Sequence, residues 1–308
     1  MTMSIRRLIV IVGPTGSGKT DLSIRLAQHF RAPILSTDSR QIYRGLPVGT
    51  AQPTAEQLAA VEHHFIASHE LTDEVSCGRY EVEALACLER LFAEHDTVVA
   101  VGGSGLYIKA LCEGMDDLPA VDPALRKLLN ERLASEGIDV LAEELRALDP
   151  DYYAMVDRKN PARVLRGLEV SLQTGKPFSS FRTGERQKRD FQMVKIGITL
   201  PREELYDRIN RRVDLMMDEG LEAEARAVYP HRALNSLRTV GYREMFDYFD
   251  GHCTREEAVE LIKRNSRRYA KRQMTWFGRD EEVAWFTPRT FDEIVAHIEW
   301  KFIEGADC

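Results

Sequence analysis

The chain has 308 residues, 44% hydrophobic and 30% charged, an ordinary globular composition that suits one large or two smaller domains. Its net charge of −7 argues against bulk nucleic-acid affinity, so any such site has to come from local basic clusters. No apolar run reaches the roughly 18 residues of a membrane span, and Cys77, Cys87, Cys112, Cys253 and Cys308 form no C-x-x-C pair, which argues against a zinc site or a disulfide framework.

The chain enters its first apolar run almost at once, which leaves no room for a signal peptide. A cytoplasmic protein with idle thiols is expected. The run Leu8-Ile9-Val10-Ile11-Val12 feeds into Gly13-Pro14-Thr15-Gly16-Ser17-Gly18-Lys19-Thr20. Leu22, Leu26 and Phe30 then recur at helical spacing. Strand, glycine loop and helix together make G-x-x-x-x-G-K-T a phosphate site. The glycines let successive backbone N–H groups converge at a helix N-terminus. Lys19 adds a point charge, and the Thr20 hydroxyl is the expected ligand for Mg²⁺. The loop announces a diphosphate or triphosphate and leaves its fate open.

A second strand is expected in residues 32–39, a short helix in 53–61 and an amphipathic helix in 78–94. Val82, Leu85, Leu88 and Leu91 are expected to share one face of that helix. Residues 97–101 read as a buried strand running into Gly102-Gly103-Ser104-Gly105 and a helix over 106–113. This alternation predicts a parallel sheet covered on both faces. Residues 122–174 then show only helical patterns. They are marked by Leu125, Leu128, Leu129 and Leu133, by Leu141, Leu145 and Leu148, and by 161–172 with Gly175 as its C-cap. Residues 179–190 read as a polar loop. A strand returns over 194–200, and Pro201 opens a helix with Leu205, Ile209, Val213 and Met216 inward. Residues 263–272 carry six positive charges and no acid. A strand over 283–286 and a helix over 291–302 finish the chain. The expected fold is α/β, a P-loop NTPase-like parallel sheet core with an inserted all-helical domain. Its divisions are 1–113, 114–193 and 194–308.

ATP-hydrolysing P-loop proteins place a carboxylate at a strand end to hold Mg²⁺. Here residues 97–101 end in glycines, and no GTPase motif is present. The remaining strand-end carboxylate is Asp38, at the sheet edge where ligands bind in such folds. It can serve as a turn residue, hold Mg²⁺ through water, or take a proton from a nucleophile.

Six segments now stand in order: the phosphate loop, Asp38-Ser39-Arg40-Gln41-Ile42-Tyr43-Arg44-Gly45, Gly49-Thr50-Ala51, Gly102-Gly103-Ser104-Gly105-Leu106-Tyr107, Val240-Gly241-Tyr242-Arg243 and Ala270-Lys271-Arg272-Gln273-Met274-Thr275-Trp276-Phe277. With them the chain resembles the tRNA dimethylallyltransferases, also called tRNA isopentenyltransferases, from its phosphate loop almost to its C-terminus. The resemblance implies transfer of a dimethylallyl group from its diphosphate to N6 of the adenosine just 3′ of the anticodon. It implies that Gly13, Pro14, Thr15, Gly16, Ser17, Gly18, Lys19 and Thr20 hold the diphosphate. Asp38 matches the catalytic base, Thr20 the hydroxyl that contacts diphosphate, and Arg212 an arginine that reaches it. The implied tRNA contacts are Asp38, Ser39, Arg40, Gln41, Ser104, Arg126, Ala162, Arg163, Val164, Leu165, Arg166, Arg238, Val240, Gly241, Tyr242, Arg243, Lys271, Arg272 and Gln273. The helical insertion matches the module that grips the anticodon stem-loop. No protein partner is evident, and a monomer is expected. The chain departs from the family pattern at Gln52, where lysine is frequent, at Glu62, where proline is frequent, and at Ser104, where threonine is frequent.

Two readings compete with this one. A P-loop small-molecule kinase would use Asp38 as base and Arg208 with Arg212 as a lid. A regulatory RNA-binding NTPase would need the strand-end carboxylate that is missing. Residues 263–272 suit either a solvated helix face or RNA contact, and Arg163 and Arg166 are open in the same way. Trp276 and Phe277 are expected in the core.

Overall fold

The structure, a computed structural model, describes residues 6–120 and 122–304; Cys308 lies outside the described residues. In chain order the elements begin with β1 (Arg7–Val12), α1 (Lys19–Phe30), β2 (Ile34–Ser36), α2 (Ala55–Ala60), β3 (His63–His64), α3 (Cys77–Leu91), β4 (Thr97–Val101) and α4 (Gly105–Glu113). Four helices follow: α5 (Pro123–Glu136), α6 (Ile138–Leu148), α7 (Pro150–Met155) and α8 (Pro161–Thr174). The sheet resumes with β5 (Gln192–Ile198). After it come α9 (Arg202–Asp218), α10 (Leu221–Val228), α11 (Tyr242–Phe249), α12 (Arg255–Phe277), β6 (Val283–Phe286) and α13 (Phe291–Glu304).

Two compact units result. One holds residues 1–112 and 188–308, the other Glu113–Gln187. The first unit resumes before β5 because Arg189 is anchored there. Its guanidinium donates to Glu81 at 2.7 Å and to the carbonyls of Ala110 and Leu111 at 2.6 and 3.0 Å.

The first unit is a six-stranded parallel sheet in the order β3-β2-β4-β1-β5-β6. Its central strand, β1, alternates two sets of buried side chains because successive residues face opposite sides. Leu8, Val10 and Val12 pack with Leu88, Leu111, Met245 and Phe277, the layer built by α3, α4, α11 and α12. Ile9 and Ile11 pack with Leu22, Leu26, Ile294 and Ile298, the layer built by α1 and α13. A strand buried on both faces reads as an unbroken apolar run, which is why residues 8–12 are so easily recognised.

Three expectations about packing need correction. In α3 the inward face is Tyr80, Ala84, Cys87, Leu88 and Leu91, whereas Val82 is 70% exposed. Val82 lies two residues from Tyr80, about 200° around the helix, so it cannot share that face. Leu128 is likewise exposed, one position from the fully buried Leu129. Trp276 is 41% exposed beside the buried Phe277. Its indole lies along Gly105 at the start of α4, where a Cβ would come within 2.3 Å of Nε1.

The second unit packs its own core around Leu129, Leu141, Leu145, Tyr152, Val164 and Leu168. Asp149 is buried and organises it: Oδ1 accepts from Tyr152 N at 2.9 Å, and Oδ2 from Ser179 N at 2.6 Å. Asn160 caps α8, and Gly175 ends it in a left-handed conformation at φ 68°. No helix among the described residues is long and apolar enough to cross a membrane.

The α3 face gives a direct test. Leu88→Ala should destabilise the protein by about 2–5 kcal/mol in urea unfolding, while Val82→Ala should stay within about 0.5 kcal/mol. Equal losses would place the wrong face inward.

Candidate active site

Three loops leave the carboxyl edge of the sheet side by side, because β2, β4 and β1 are parallel neighbours. The phosphate loop follows β1, the turn bearing Asp38 follows β2, and Gly102-Gly103-Ser104 follows β4. Thr37 N donates to Val101 O at 2.8 Å and Gly102 N to Ile11 O at 3.2 Å, so the loops are fastened to one another. Glycine is required at the start of the phosphate loop. Gly13 has φ 146°, and a Cβ there would sit 2.3 Å from the Ile198 carbonyl oxygen.

A cavity of about 540 Å³ opens over these loops. It is lined by Lys19, Arg40, Arg208, Arg212, Arg238, Arg243 and Arg272 against two carboxylates, Asp21 and Asp38. On a protein of net charge −7, this local excess of cations marks an anion site. Lys19 Nζ donates to Pro14 O at 2.7 Å. Burial, reinforced by the neighbouring Arg212, pulls the Lys19 ammonium down to about 7 against the opposing pull of Asp38. Burial also lowers Arg212 from its ordinary value, again opposed by Asp38. The guanidinium of Arg212 reaches the phosphate loop, donating from Nη1 to Thr15 Oγ1 at 3.2 Å. Leu205, Ile209 and Val213 bury the other face of its helix.

Asp38 caps its own turn: Oδ1 accepts from Arg40 N at 2.9 Å and Gln41 N at 3.3 Å. The carboxylate also lines the cavity. Ser104 Oγ accepts from Ser39 N at 2.9 Å and donates to Ser39 Oγ at 3.0 Å, which pins the turn to the β4 loop. Arg40 donates to the carbonyls of Asn235 and Ser236 at 2.8 and 3.1 Å. Gln41 Nε2 donates to Ala51 O at 2.7 Å. Gln52 donates from Nε2 to the carbonyls of Gln41 and Tyr43 at 3.0 and 2.9 Å, a task a lysine ammonium can also perform. Serine at 104 and glutamine at 52 therefore both hold the Asp38 loop in place.

One organising residue carries no sequence signal. The Glu224 carboxylate accepts from Val48 N and Gly49 N at 2.8 Å each and from the Tyr242 hydroxyl at 2.5 Å. Tyr242 is fully buried, and a Cβ on Gly49 would fall 2.6 Å from its ring. The motifs at 49–51 and 240–243 thus meet through a glutamate that stands in neither. Val240 and Gly241 line the cavity, as do the exposed Arg238 and Arg243.

Of the six cations in residues 263–272, Lys263 pairs with Asp214 at 2.7 Å, and Arg267 donates to Asn210 at 2.6 Å. Arg264, Arg268, Lys271 and Arg272 are exposed, and their side chains make no hydrogen bond or ion pair among the described residues. Their spacing places them along one stripe of α12. Arg272 also lies over the Tyr269 ring at 5.7 Å. Gln273 points inward instead, 5% exposed.

In the helical unit, Arg126 and Arg166 converge on Glu169, which is fully buried. Arg166 also donates to Pro119 O at 2.9 Å. Ala162 and Arg163 are exposed in the first turn of α8. Val164 and Leu165 are buried in the unit's core, which leaves their side chains no access to a ligand.

The residues fit Mg²⁺ as P-loop sites hold it. Thr20 and Asp38 both line the cavity, and the Thr20 hydroxyl makes no hydrogen bond among the described residues. Among the described residues no group of three or more His, Cys, Asp or Glu side chains forms an all-protein metal cage. Mg²⁺ commonly relies on one or two protein ligands, substrate phosphates and water.

A family model described as IPP transferase matches residues 41–280. tRNA dimethylallyltransferase 1 of Phocaeicola vulgatus is 55% identical over 291 residues, covering 94% of this chain and 97% of that protein. The tRNA dimethylallyltransferase of Cytophaga hutchinsonii is 49% identical over 304 residues, covering 99% and 100%. Among solved structures, the full-length tRNA isopentenylpyrophosphate transferase of Bacillus halodurans superposes with a TM-score of 0.73 at 37% identity, with 98% of each chain covered. A eukaryotic dimethylallyltransferase shares the fold with a TM-score of 0.80 at 24% identity, over 93% of this chain and 75% of that one. A chain matched over so much of its length, with a phosphate loop and a strand-end carboxylate in one cationic cavity, belongs to the tRNA dimethylallyltransferase family.

Proposed function

We propose that the chain transfers the dimethylallyl group of dimethylallyl diphosphate to N6 of the adenosine immediately 3′ of the anticodon in tRNA. The observation that carries this reading is the meeting of the phosphate loop, Asp38 and the cationic cavity wall beside the free basic stripe of α12. The diphosphate binds on the loop amides, Lys19 and Arg212. The adenine amine is a poor nucleophile because its lone pair is delocalised into the ring. As its nitrogen bonds to the allylic carbon, the carbon–oxygen bond to diphosphate breaks and Asp38 accepts the amine proton. A positioned base of this kind contributes roughly 10²–10⁴-fold. Negative charge grows on the bridging oxygen, where preorganised donors stabilise the transition state more than the ground state. Mg²⁺, held by Thr20 and diphosphate oxygens, would neutralise further charge on the leaving group.

The base has to leave its stack in the anticodon loop, at a cost of a few kcal/mol. Arg264, Arg268, Lys271 and Arg272, with Arg238 and Arg243 in the cavity wall, supply phosphate contacts that offset it. In the helical unit the exposed Arg163 supplies a cation for the anticodon stem, and Arg126 with Arg166, two cations on the one carboxylate of Glu169, add net positive charge. The reading is tested by incubating the protein with radiolabelled dimethylallyl diphosphate and unmodified tRNA. Label should enter the RNA; phosphorylation of a small molecule by ATP, with no label transferred, would establish a kinase instead.

Asp38→Asn keeps shape but accepts no proton, so the single-turnover rate should fall about 10²-fold or more with RNA affinity nearly unchanged. Arg212→Ala should lower the chemical rate by roughly 10²–10³-fold, and Arg212→Lys should recover only part of it. A change confined to the donor concentration at half-maximal rate would make Arg212 a ground-state clamp.

Lys19 gives a pH signature. Its ammonium titrates near 7 in the free protein, and a bound diphosphate anion favours the charged form. Below pH 7 the site is already cationic; above it, binding has to restore the proton. At pH 8 donor binding should therefore take up about one proton, measured by calorimetry in buffers of different ionisation enthalpy. Lys19→Arg should abolish the uptake, and its absence in the wild type would show that Lys19 is already charged there.

A further inference from the structure

Gln273 belongs to the segment that the family resemblance associates with RNA contact, yet its amide is buried and spent on backbone. Oε1 accepts from Thr15 N in the phosphate loop at 2.9 Å. Nε2 donates to Gly103 O, in the loop after β4, at 2.9 Å. The fit is close: a Cβ on Gly103 would stand 2.2 Å from Nε2. The next residue in that loop, Ser104, holds the turn that carries Asp38. Lys271 and Arg272, immediately before Gln273 on α12, are exposed and free of ion pairs among the described residues. One amide therefore joins the phosphate loop, the loop that pins the catalytic carboxylate and the helix that presents the basic stripe.

We infer that Gln273 is a positioning residue that fixes the phosphate loop and the Asp38 turn relative to each other and to α12. This rests on the transfer reaction proposed above, in which leaving group and base must be held in register. Only a side chain that accepts at one end and donates at the other satisfies both backbone groups, because an amide N–H and a carbonyl face it from two loops. A carboxylate can accept from Thr15 N but places a negative oxygen against the Gly103 carbonyl. Lys19, Arg212 and Arg272 line the same cavity and favour the charged form, but at saturating donor the diphosphate and Asp38 offset them, so burial and that carbonyl raise its pKa. Once protonated, it donates to Gly103 O and restores the join.

The test compares wild type, Gln273→Glu and Gln273→Met in single-turnover transfer from dimethylallyl diphosphate to tRNA between pH 6 and pH 8.5. Donor and RNA are kept saturating, and folding is checked by circular dichroism. At pH 8, Gln273→Glu should be slower than wild type by about 30-fold or more, with RNA affinity changed less than about threefold. Relative to wild type it should regain about fivefold or more towards pH 6, as the introduced acid protonates. Gln273→Met keeps the volume and loses both hydrogen bonds, so its deficit should not vary with pH. A near-wild-type rate for both variants, or a Gln273→Glu profile parallel to that of wild type, would overturn the assignment. Should Gln273→Glu fail to fold, Gln273→Met decides by whether its rate falls while its RNA affinity holds. Pyrophosphate binding is measured in parallel. If wild type transfers no label, the transfer reading fails on its own, and Gln273 is then judged by pyrophosphate. A fall of about tenfold for Gln273→Met supports its hold on the phosphate loop, and unchanged affinity overturns it.

Discussion

The site depends on two half-buried cations, Lys19 and Arg212, close enough to repel each other, with Asp38 as the carboxylate that opposes their loss of charge. Burying charge without full compensation is costly, and the protein meets part of that cost by letting Lys19 titrate near neutrality. A diphosphate on the loop, as proposed above, would supply the missing negative charge. On the proposed reading this charge imbalance would become affinity for the donor and, as the bridging oxygen gains charge, stabilisation of the transition state.

Such a balance requires that the groups cannot drift apart. The parallel order of β2, β4 and β1 brings the three loops together, and a second tier of polar contacts locks them. Ser104 fastens the Asp38 turn, Gln52 and Gln41 tie it to residues 49–51, and Glu224 holds that loop to α11 through Tyr242. Most of these contacts end on backbone amides or carbonyls. Their geometry is therefore set by loop paths, and their removal would disturb positioning before it disturbs the core.

The basic helix shows how charge is divided between structure and recognition. Lys263 and Arg267 are consumed by Asp214 and Asn210 of α9, the helix that also carries Arg212. Arg264, Arg268, Lys271 and Arg272 remain exposed on one stripe. Charge count alone leaves a solvated face and an RNA-binding face equally open. The division between paired and unpaired cations singles out the four available to phosphate. In the helical unit the same reasoning gives a more mixed result: Arg163 is exposed, while Arg126 and Arg166 share the buried Glu169.

The phosphate loop, the alternating strands and helices, Asp38 as the strand-end carboxylate and the helical interruption of the sheet are all legible in the order of residues. These are local signals: glycine spacing, unbroken apolar runs and 3.6-residue periodicity each lie within about a dozen residues. Short helices such as α7, α10 and α11 leave little signal in the sequence, because six to eight residues hold too few turns to show a period. Val82 shares the apolar pattern of α3 but not its inward face, because several apolar residues compete on that helix and only packing selects among them. The hydrogen bonds of Glu224 and Gln273 exist only in the folded chain. Glu224 bonds to residues 175 and 176 positions away, and Gln273 to residues 258 and 170 positions away. A hydrogen bond depends on where the loops finally lie, and no periodicity or spacing along the chain records that.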